Sequence, residues 1–233
     1  MSRMLDERLL ISHVLTRRTT RFIFALKAAL APTKPRVGAL TQEEMFSYKQ
    51  KKLRLLCEEF GYDPSLVILS DAPYSFNYLN QNFTSEGQAY PDGRIEIYFD
   101  PDMTDARMAC CLAHELQHQK YFLVRTAYQA ESIHGPLHQR FAPFTSETLA
   151  ALGGVSDYSR EHWQAWQGRS LPVLFSDELA DGQCEPINET LAEIAKAEYN
   201  WGSIAWIDSI WRQLYLAINN EYRRLTLQKR APL

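Results

Sequence analysis

Residues 114–118 read His114-Glu115-Leu116-Gln117-His118, an H-E-x-x-H stretch, and the rest of the chain makes sense as a support for it. On a helix, residues four apart share a face and lie about 6 Å apart along the axis. That spacing lets both imidazoles reach one cation at the roughly 2.0–2.1 Å of a Zn–N bond. Glu115 sits about 100° round the helix from His114, poorly placed to ligate but well placed to act on a water molecule beside the ion. Two neutral nitrogens and one oxygen leave a coordination position open, as catalytic rather than structural zinc sites require.

The neighbouring sequence agrees with a helix here. Before the motif, Arg94-Ile95-Glu96-Ile97-Tyr98-Phe99 alternates strictly, with Ile95, Ile97 and Phe99 on one face and Arg94, Glu96 and Tyr98 on the other. Asp100-Pro101 stops this strand, and Asp102 or Thr104 caps a helix expected to run to Ala130 or Glu131, before Gly135-Pro136. An edge strand beside a metal can bind an extended peptide by adding its backbone to the sheet. Further upstream, Thr41-Gln42-Glu43-Glu44 predicts a capping box for a helix through Phe60, closed by Gly61. Leu66–Leu69 reads as a short buried strand, and an aromatic, asparagine-rich loop leads from it to the Pro91-Asp92-Gly93 turn. Residues 3–30 read as one or two helices closed by Pro32 and Pro35.

Downstream, residues 135–186 are rich in Gly and Pro and read as irregular, with a short helical stretch around Trp163 and Trp166. From Ile187 a helix is expected through Tyr199 and, after a kink at Asn200-Trp201-Gly202, onward to about Leu227. The expected fold class is α+β: a small mixed sheet with an active-site edge strand packed on the motif helix, and helices at both ends. The expected division is a helical region at 1–62 and a metal-binding domain at 63–233.

Composition fits this picture. With 233 residues, 45% apolar and 12% aromatic, the chain can bury a full core. No apolar run reaches transmembrane length. Arg17 to Ala31 faintly resembles a secretory signal, but Lys27 interrupts its apolar centre and the stretch reads as helix. Cys57, Cys110, Cys111 and Cys184 form no C-x-x-C pair, so a reducing, cytoplasmic setting is expected. Net charge is −3, yet residues 1–36 carry eight basic side chains against Asp6 and Glu7. Such an arm suits an acidic partner or is the solvated side of a helix; nucleic acid is not the expected partner.

Two histidines alone hold zinc weakly, so a third ligand is needed. The metzincin pattern asks for a histidine six residues after His118 and a glycine between; Val124 and Tyr121 stand there, which excludes that class. Asn188-Glu189-Thr190-Leu191-Ala192-Glu193 is the best remaining stretch. H-E-x-x-H followed downstream by N-E-x-x-x-[DE] resembles the gluzincin zinc peptidases, of which thermolysin is the familiar member. The resemblance covers roughly residues 94–130 and 187–198. It implies a zincin-like fold, one Zn2+ per chain, Glu189 as third ligand and Glu193 as the acceptor that fixes the tautomer of a ligating histidine. Asp157, in a stretch faintly similar to the aspzincin signature, and Glu131 stay open as alternative ligands. His134 and His138 bracket Gly135-Pro136 and do not share a helical face.

The expected activity is hydrolysis of peptide bonds in a peptide or protein substrate. Zinc supplies Lewis acidity and an acidified water, while Glu115 moves the proton from that water to the departing amine. Tyr158, His162, Tyr128 and Tyr199 are the side chains available to stabilise the tetrahedral oxygen, and sequence does not choose among them. The rival expectation is a non-catalytic assembly protein whose zincin-like domain binds metal and whose basic arm and aromatic C-terminal helix meet partners.

Overall fold

The computed structural model describes residues 41–71, 74–78, 81–175 and 184–230. The N-terminal helices expected at 3–30, the signal-like stretch and the basic arm lie outside the described residues. Backbone contacts divide the chain into a unit Met1–Glu44 and a unit Met45–Leu233, and the second carries all that follows except the capped first turn of the first helix.

The fold is α+β. Helix α1 (Gln42–Phe60) opens on the expected capping box: Glu44 N–H donates to Thr41 Oγ1 at 3.2 Å, and Thr41 N–H donates to Glu44 Oε2 at 2.8 Å. Five strands follow, β1 (Val67–Ser70), β2 (Tyr74–Tyr78), β3 (Gln81–Ser85), β4 (Gly87–Ala89) and β5 (Ile95–Tyr98). Three of them form a mixed sheet in the order β1-β5-β4, with β1 parallel and β4 antiparallel to β5. Strands β2 and β3 form a separate antiparallel hairpin, pairing Phe76 with Phe83. The stretch read as an aromatic loop therefore holds three strands, β2, β3 and β4. Its Tyr, Phe and Thr residues favour strands, and cross-strand pairing realises that preference.

The sheet also corrects the expected edge. Ile95 and Ile97 of β5 are fully buried, and β5 is the central strand. The outer strand facing the motif helix is β4. Tyr98, expected on the polar face, is buried as well, with its hydroxyl donating to Gln88 Oε1 at 3.1 Å.

Helix α2 (Asp105–Ala130) carries the motif, capped by Thr104, whose side chain accepts from Arg107 N–H at 3.1 Å. In place of the irregular region come three short helices, α3 (Pro136–Phe141), α4 (Ser146–Leu152) and α5 (Asp157–Ala165). Each begins on a local signal: Pro136 at the first turn, Thr145 as cap, and a reciprocal Ser156–Ser159 cap. The expected long terminal helix is two helices, α6 (Glu185–Trp201) and α7 (Ser209–Arg230). Gly202 ends α6 at φ 74°, a left-handed backbone that a side chain would strain, and Asp208 Oδ1 accepts from Ile210 N–H at 2.7 Å to start α7.

Helix α2 packs on β4, β5, α6 and α7. Val124 of α2 and Ile187, Leu191 and Ile194 of α6 are fully buried in one apolar cluster, and each contributes on the order of 1.5–3 kcal/mol. Apolar packing thus fixes the two helices side by side before any ion is considered. Helix α5 is tied onto α6 by Trp163 Nε1, which donates to Thr190 Oγ1 at 2.9 Å. Among the described residues, no helix is long and apolar enough to cross a membrane.

Candidate metal centre

His114 and His118 do face the same way. Their rings lie 4.8 Å apart between centroids, and both are buried where α2 meets α6. From α6, one turn past Glu185, Glu189 turns its carboxylate between them: His114 Nε2 is 3.3 Å from Oε2 and His118 Nε2 is 3.4 Å from Oε1. Four-coordinate zinc with bonds of about 2.0–2.1 Å keeps its ligand atoms about 3.3 Å apart. His114, His118 and Glu189 form the group able to hold a metal ion among the described residues, their ligand atoms lying within 4.8 Å of one another. Glu189 Oε2 makes no hydrogen bond of normal geometry, so a buried carboxylate oxygen is left aimed at ring nitrogens. The donor set fits a divalent cation.

Glu193, the next turn of α6, takes the other ring nitrogen: His114 Nδ1 lies 3.1 Å from Glu193 Oε1. A carboxylate there makes Nδ1 the protonated nitrogen and leaves Nε2 for an ion, the usual arrangement behind a ligating histidine. Lys196 continues the chain outward, its Nζ 3.1 Å from the same Glu193 oxygen.

Burial and charge set the protonation of these groups. Burial works against an imidazolium at His114, but Glu189 and Glu193 outweigh it and hold the group up at about 10. His118 goes the other way: burial dominates and brings it down to about 4. Burial opposes ionisation of Glu193, yet His114 and Lys196 hold it at about 2. Glu189 is likewise kept below the ordinary carboxylate range, burial being outweighed by His118 and His114. Glu115 is pushed up to about 8 by burial first, with Glu189 adding to it and His114 and Lys196 opposing. A carboxyl poised near neutrality is what a general acid–base group needs.

Strand β4 shapes the position of Glu115. The backbone N–H of Ala89 donates to its carboxylate. At Gly87 a Cβ would stand 2.8 Å from Glu115 Oε1 and 3.0 Å from Cys111 Sγ, so a side chain there would push the Glu115 carboxylate aside.

The other residues singled out by sequence fall elsewhere. Asp157 is an exposed acid at the start of α5, paired with Arg160 at 2.7 Å. Glu131 caps α3 by accepting from Leu137 N–H at 2.6 Å. His134 is exposed, and His138 packs on Tyr128 with 3.8 Å between ring centroids. Neither acid joins the cluster. Of the four side chains considered for the tetrahedral oxygen, Tyr128 packs against Phe141 and Phe175, and Tyr199 against Phe60. Tyr158 and His162 are the two that α5 brings to the site: the Tyr158 ring is 6.1 Å from His114 and 4.9 Å from His162. Burial, and then Glu189, Glu115, Glu185 and Glu193, raise the Tyr158 hydroxyl far above its usual value, so it remains a donor at neutral pH.

Gly87 and Glu185 were not picked out from sequence, and Lys196 was read only as the neighbour of a solvated acidic face. Gly87 carried no signal, because its role comes from strand pairing. Glu185 and Lys196 did carry one. They lie four residues before Glu189 and three after Glu193, spacings that share a helical face. Neither a family model, nor a curated protein, nor a solved structure matches the chain.

Proposed function

We propose that this chain is a zinc-dependent peptidase with gluzincin-like site logic on a zincin-like fold. The observation that carries the reading is the convergence of His114 Nε2, His118 Nε2 and a Glu189 oxygen at ligand spacing, with Glu115 on the next position of the same helix. His114, His118 and Glu189 would hold the ion, which when bound supplies Lewis acidity and lowers the pKa of a water molecule.

The chain's own residues perform the rest. Glu193 fixes the His114 tautomer, and Lys196 steadies Glu193. Glu115, held by Ala89 N–H and crowded by Gly87, accepts the proton of the attacking water and returns it to the amine that leaves. Tyr158 offers a neutral O–H towards the oxygen on which charge develops. Strand β4, outermost in the sheet and beside Glu115, is the edge onto which an extended peptide adds its backbone. The four cysteines are unpaired, in keeping with a reducing compartment.

The test pairs metal analysis with turnover. Wild type loaded with zinc is expected to cleave members of a peptide library, and chelation to stop it. Glu115→Gln is expected to keep one zinc per chain and lose roughly 10²–10⁴-fold in kcat. A Glu115→Gln protein that cleaves as well as wild type removes this mechanism. A wild type that binds zinc and cleaves nothing favours the non-catalytic assembly protein instead.

A further inference from the structure

Arg125 stands on the motif helix α2, seven residues past His118 and on the same side of it. Phe122 links the two. Its ring stacks on His118 with 6.3 Å between centroids, and Arg125 Cζ lies 5.2 Å from its centre. Arg125 is 6% exposed, and its Nε and Nη1 meet no hydrogen-bond partner among the described residues. Arg140 and Arg224 show the ordinary arrangement, each closing on the carboxylate of Glu221. The guanidinium of Arg125 has Tyr121 and the thiol of Cys184 beside it instead. Burial raises both of those groups, so neither carries a negative charge at neutral pH.

Cys184 is also the residue that opens the 17-residue helix α6, and its side chain makes no capping hydrogen bond. The first turn of such a helix carries unsatisfied N–H groups and a partial positive charge. Two elements thus bring positive charge to one spot, a hidden guanidinium from α2 and a helix end from α6. Glu185, the first residue of α6, bonds to neither Nε nor Nη1 of Arg125. A buried cation without a counter-charge is costly, and it turns favourable when an anion arrives. The spot lies near the metal centre along both helices. Seven residues of α2 correspond to about 10 Å, and the five from Cys184 to Glu189 on α6 to about 7 Å. An extended peptide covers that distance in about three residues.

Resting on the peptidase reading above, we infer that Arg125 and the N-terminus of α6 form an anion subsite, which receives a carboxylate carried by the substrate within about three residues of the bond to be cleaved. Two substrate features supply that chemistry: a free C-terminal carboxylate, or an Asp or Glu side chain. The planar guanidinium can meet either with two parallel N–H bonds. Charge-assisted bonds of this kind are expected to favour the anionic substrate by about tenfold or more. A terminal carboxylate held here makes the enzyme release a short C-terminal piece, whereas a side-chain carboxylate selects an internal bond.

The test uses peptide pairs that differ by Glu against Gln at successive positions, each with a free or an amidated C-terminus. Binding is measured by calorimetry on full-length, zinc-loaded Glu115→Gln, where nothing turns over, and cleavage is measured on wild type. The expected result is binding at least about tenfold tighter for the Glu member at one position, or for the free C-terminus. Which of the two responds tells side chain from terminus. The preference is expected to fall below about twofold when Arg125→Met is added, with zinc content unchanged. Arg125→Gln, polar and uncharged, is expected to do the same and replaces the Met variant should that chain not fold. Equal or absent binding of acidic and neutral peptides overturns the subsite, as does a preference that survives loss of the guanidinium. A preference that emerges only after Asp177, Glu178 and Asp181 are changed to their amides also overturns it, because the chain's own carboxylates then fill the place. Cleavage by wild type without any acidic preference removes the subsite and leaves the peptidase reading intact. An Arg125-dependent preference in binding with no cleavage keeps the anion site and removes the peptidase reading.

Discussion

Glu221 on α7 and Glu189 on α6 are both buried carboxylates, yet they are held in opposite ways. Glu221 is fully buried and lies between two arginines, accepting from Arg140 Nη1 and from Arg224 Nε, the latter at 2.7 Å. Its charge is closed by groups that never lose theirs. Glu189 meets two imidazoles instead, and a neutral imidazole nitrogen can take either a proton or a metal ion. The first arrangement is complete and serves the fold. The second is a socket, and that difference separates a structural acid from a binding one in a chain where both are equally hidden.

The comparison can be broken first at its structural end. Replacing both Arg140 and Arg224 with Met strands Glu221 in the interior and is expected to cost about 3–5 kcal/mol, read from denaturant unfolding. A cost below about 1 kcal/mol would put Glu221 in the same class as Glu189. Next, zinc at a hundred times its Kd is expected to add about 2.7 kcal/mol of stability to wild type and nothing to Glu189→Ala, as shown by melting with and without the metal. Equal stabilisation of both proteins would move the ion elsewhere.

A smaller effect is expected at Gly87→Ala. The new methyl displaces the Glu115 carboxylate, so kcat falls by about tenfold or more, near 1.4 kcal/mol, while zinc content and melting temperature stay close to wild type. The least is expected for Lys49, whose buried ammonium donates to Met103 O and lies 3.2 Å from Asp105 Oδ1. Asp105 is half-exposed, so solvent screens the pair and Lys49→Met should remove no more than about 1 kcal/mol of pairing energy. Burial raises Asp105, but Tyr48 and Lys49 outweigh it and hold the carboxyl below 3.8. Its contribution is therefore complete above that value and disappears as the pH falls below it. Unfolding midpoints at neutral pH and near pH 3 should show the mutant and wild type converging at the acid end.

What the sequence disclosed follows from range. The motif helix, its Thr104 cap, the α1 capping box and the Glu189–Glu193 pair are local patterns, written within a few residues, and each stands where spacing placed it. The hairpin β2–β3 was hidden because Tyr74–Tyr78 and Gln81–Ser85 become strands only by pairing with each other. The central place of β5 was hidden for a related reason: its parallel partner β1 lies beyond the whole hairpin. Helices α3 and α4 are each under ten residues, too short for periodicity to register against their glycines and prolines, whereas α5 contains the Trp163 around which a short helix was expected. Glu185 stood in the stretch read as irregular, ahead of the helix expected from Ile187.

The two helices that bear the ligands are joined by hydrocarbon. Tyr121 and Val124 on one helix share a buried cluster with Ile187, Leu191 and Ile194 on the other. Small zinc-dependent domains collapse when their metal is taken away. This one is built to survive the loss: a chelator should empty it and leave the far-ultraviolet dichroism nearly unchanged. A scaffold joined this way keeps the three candidate ligands in register whether the site is filled or empty.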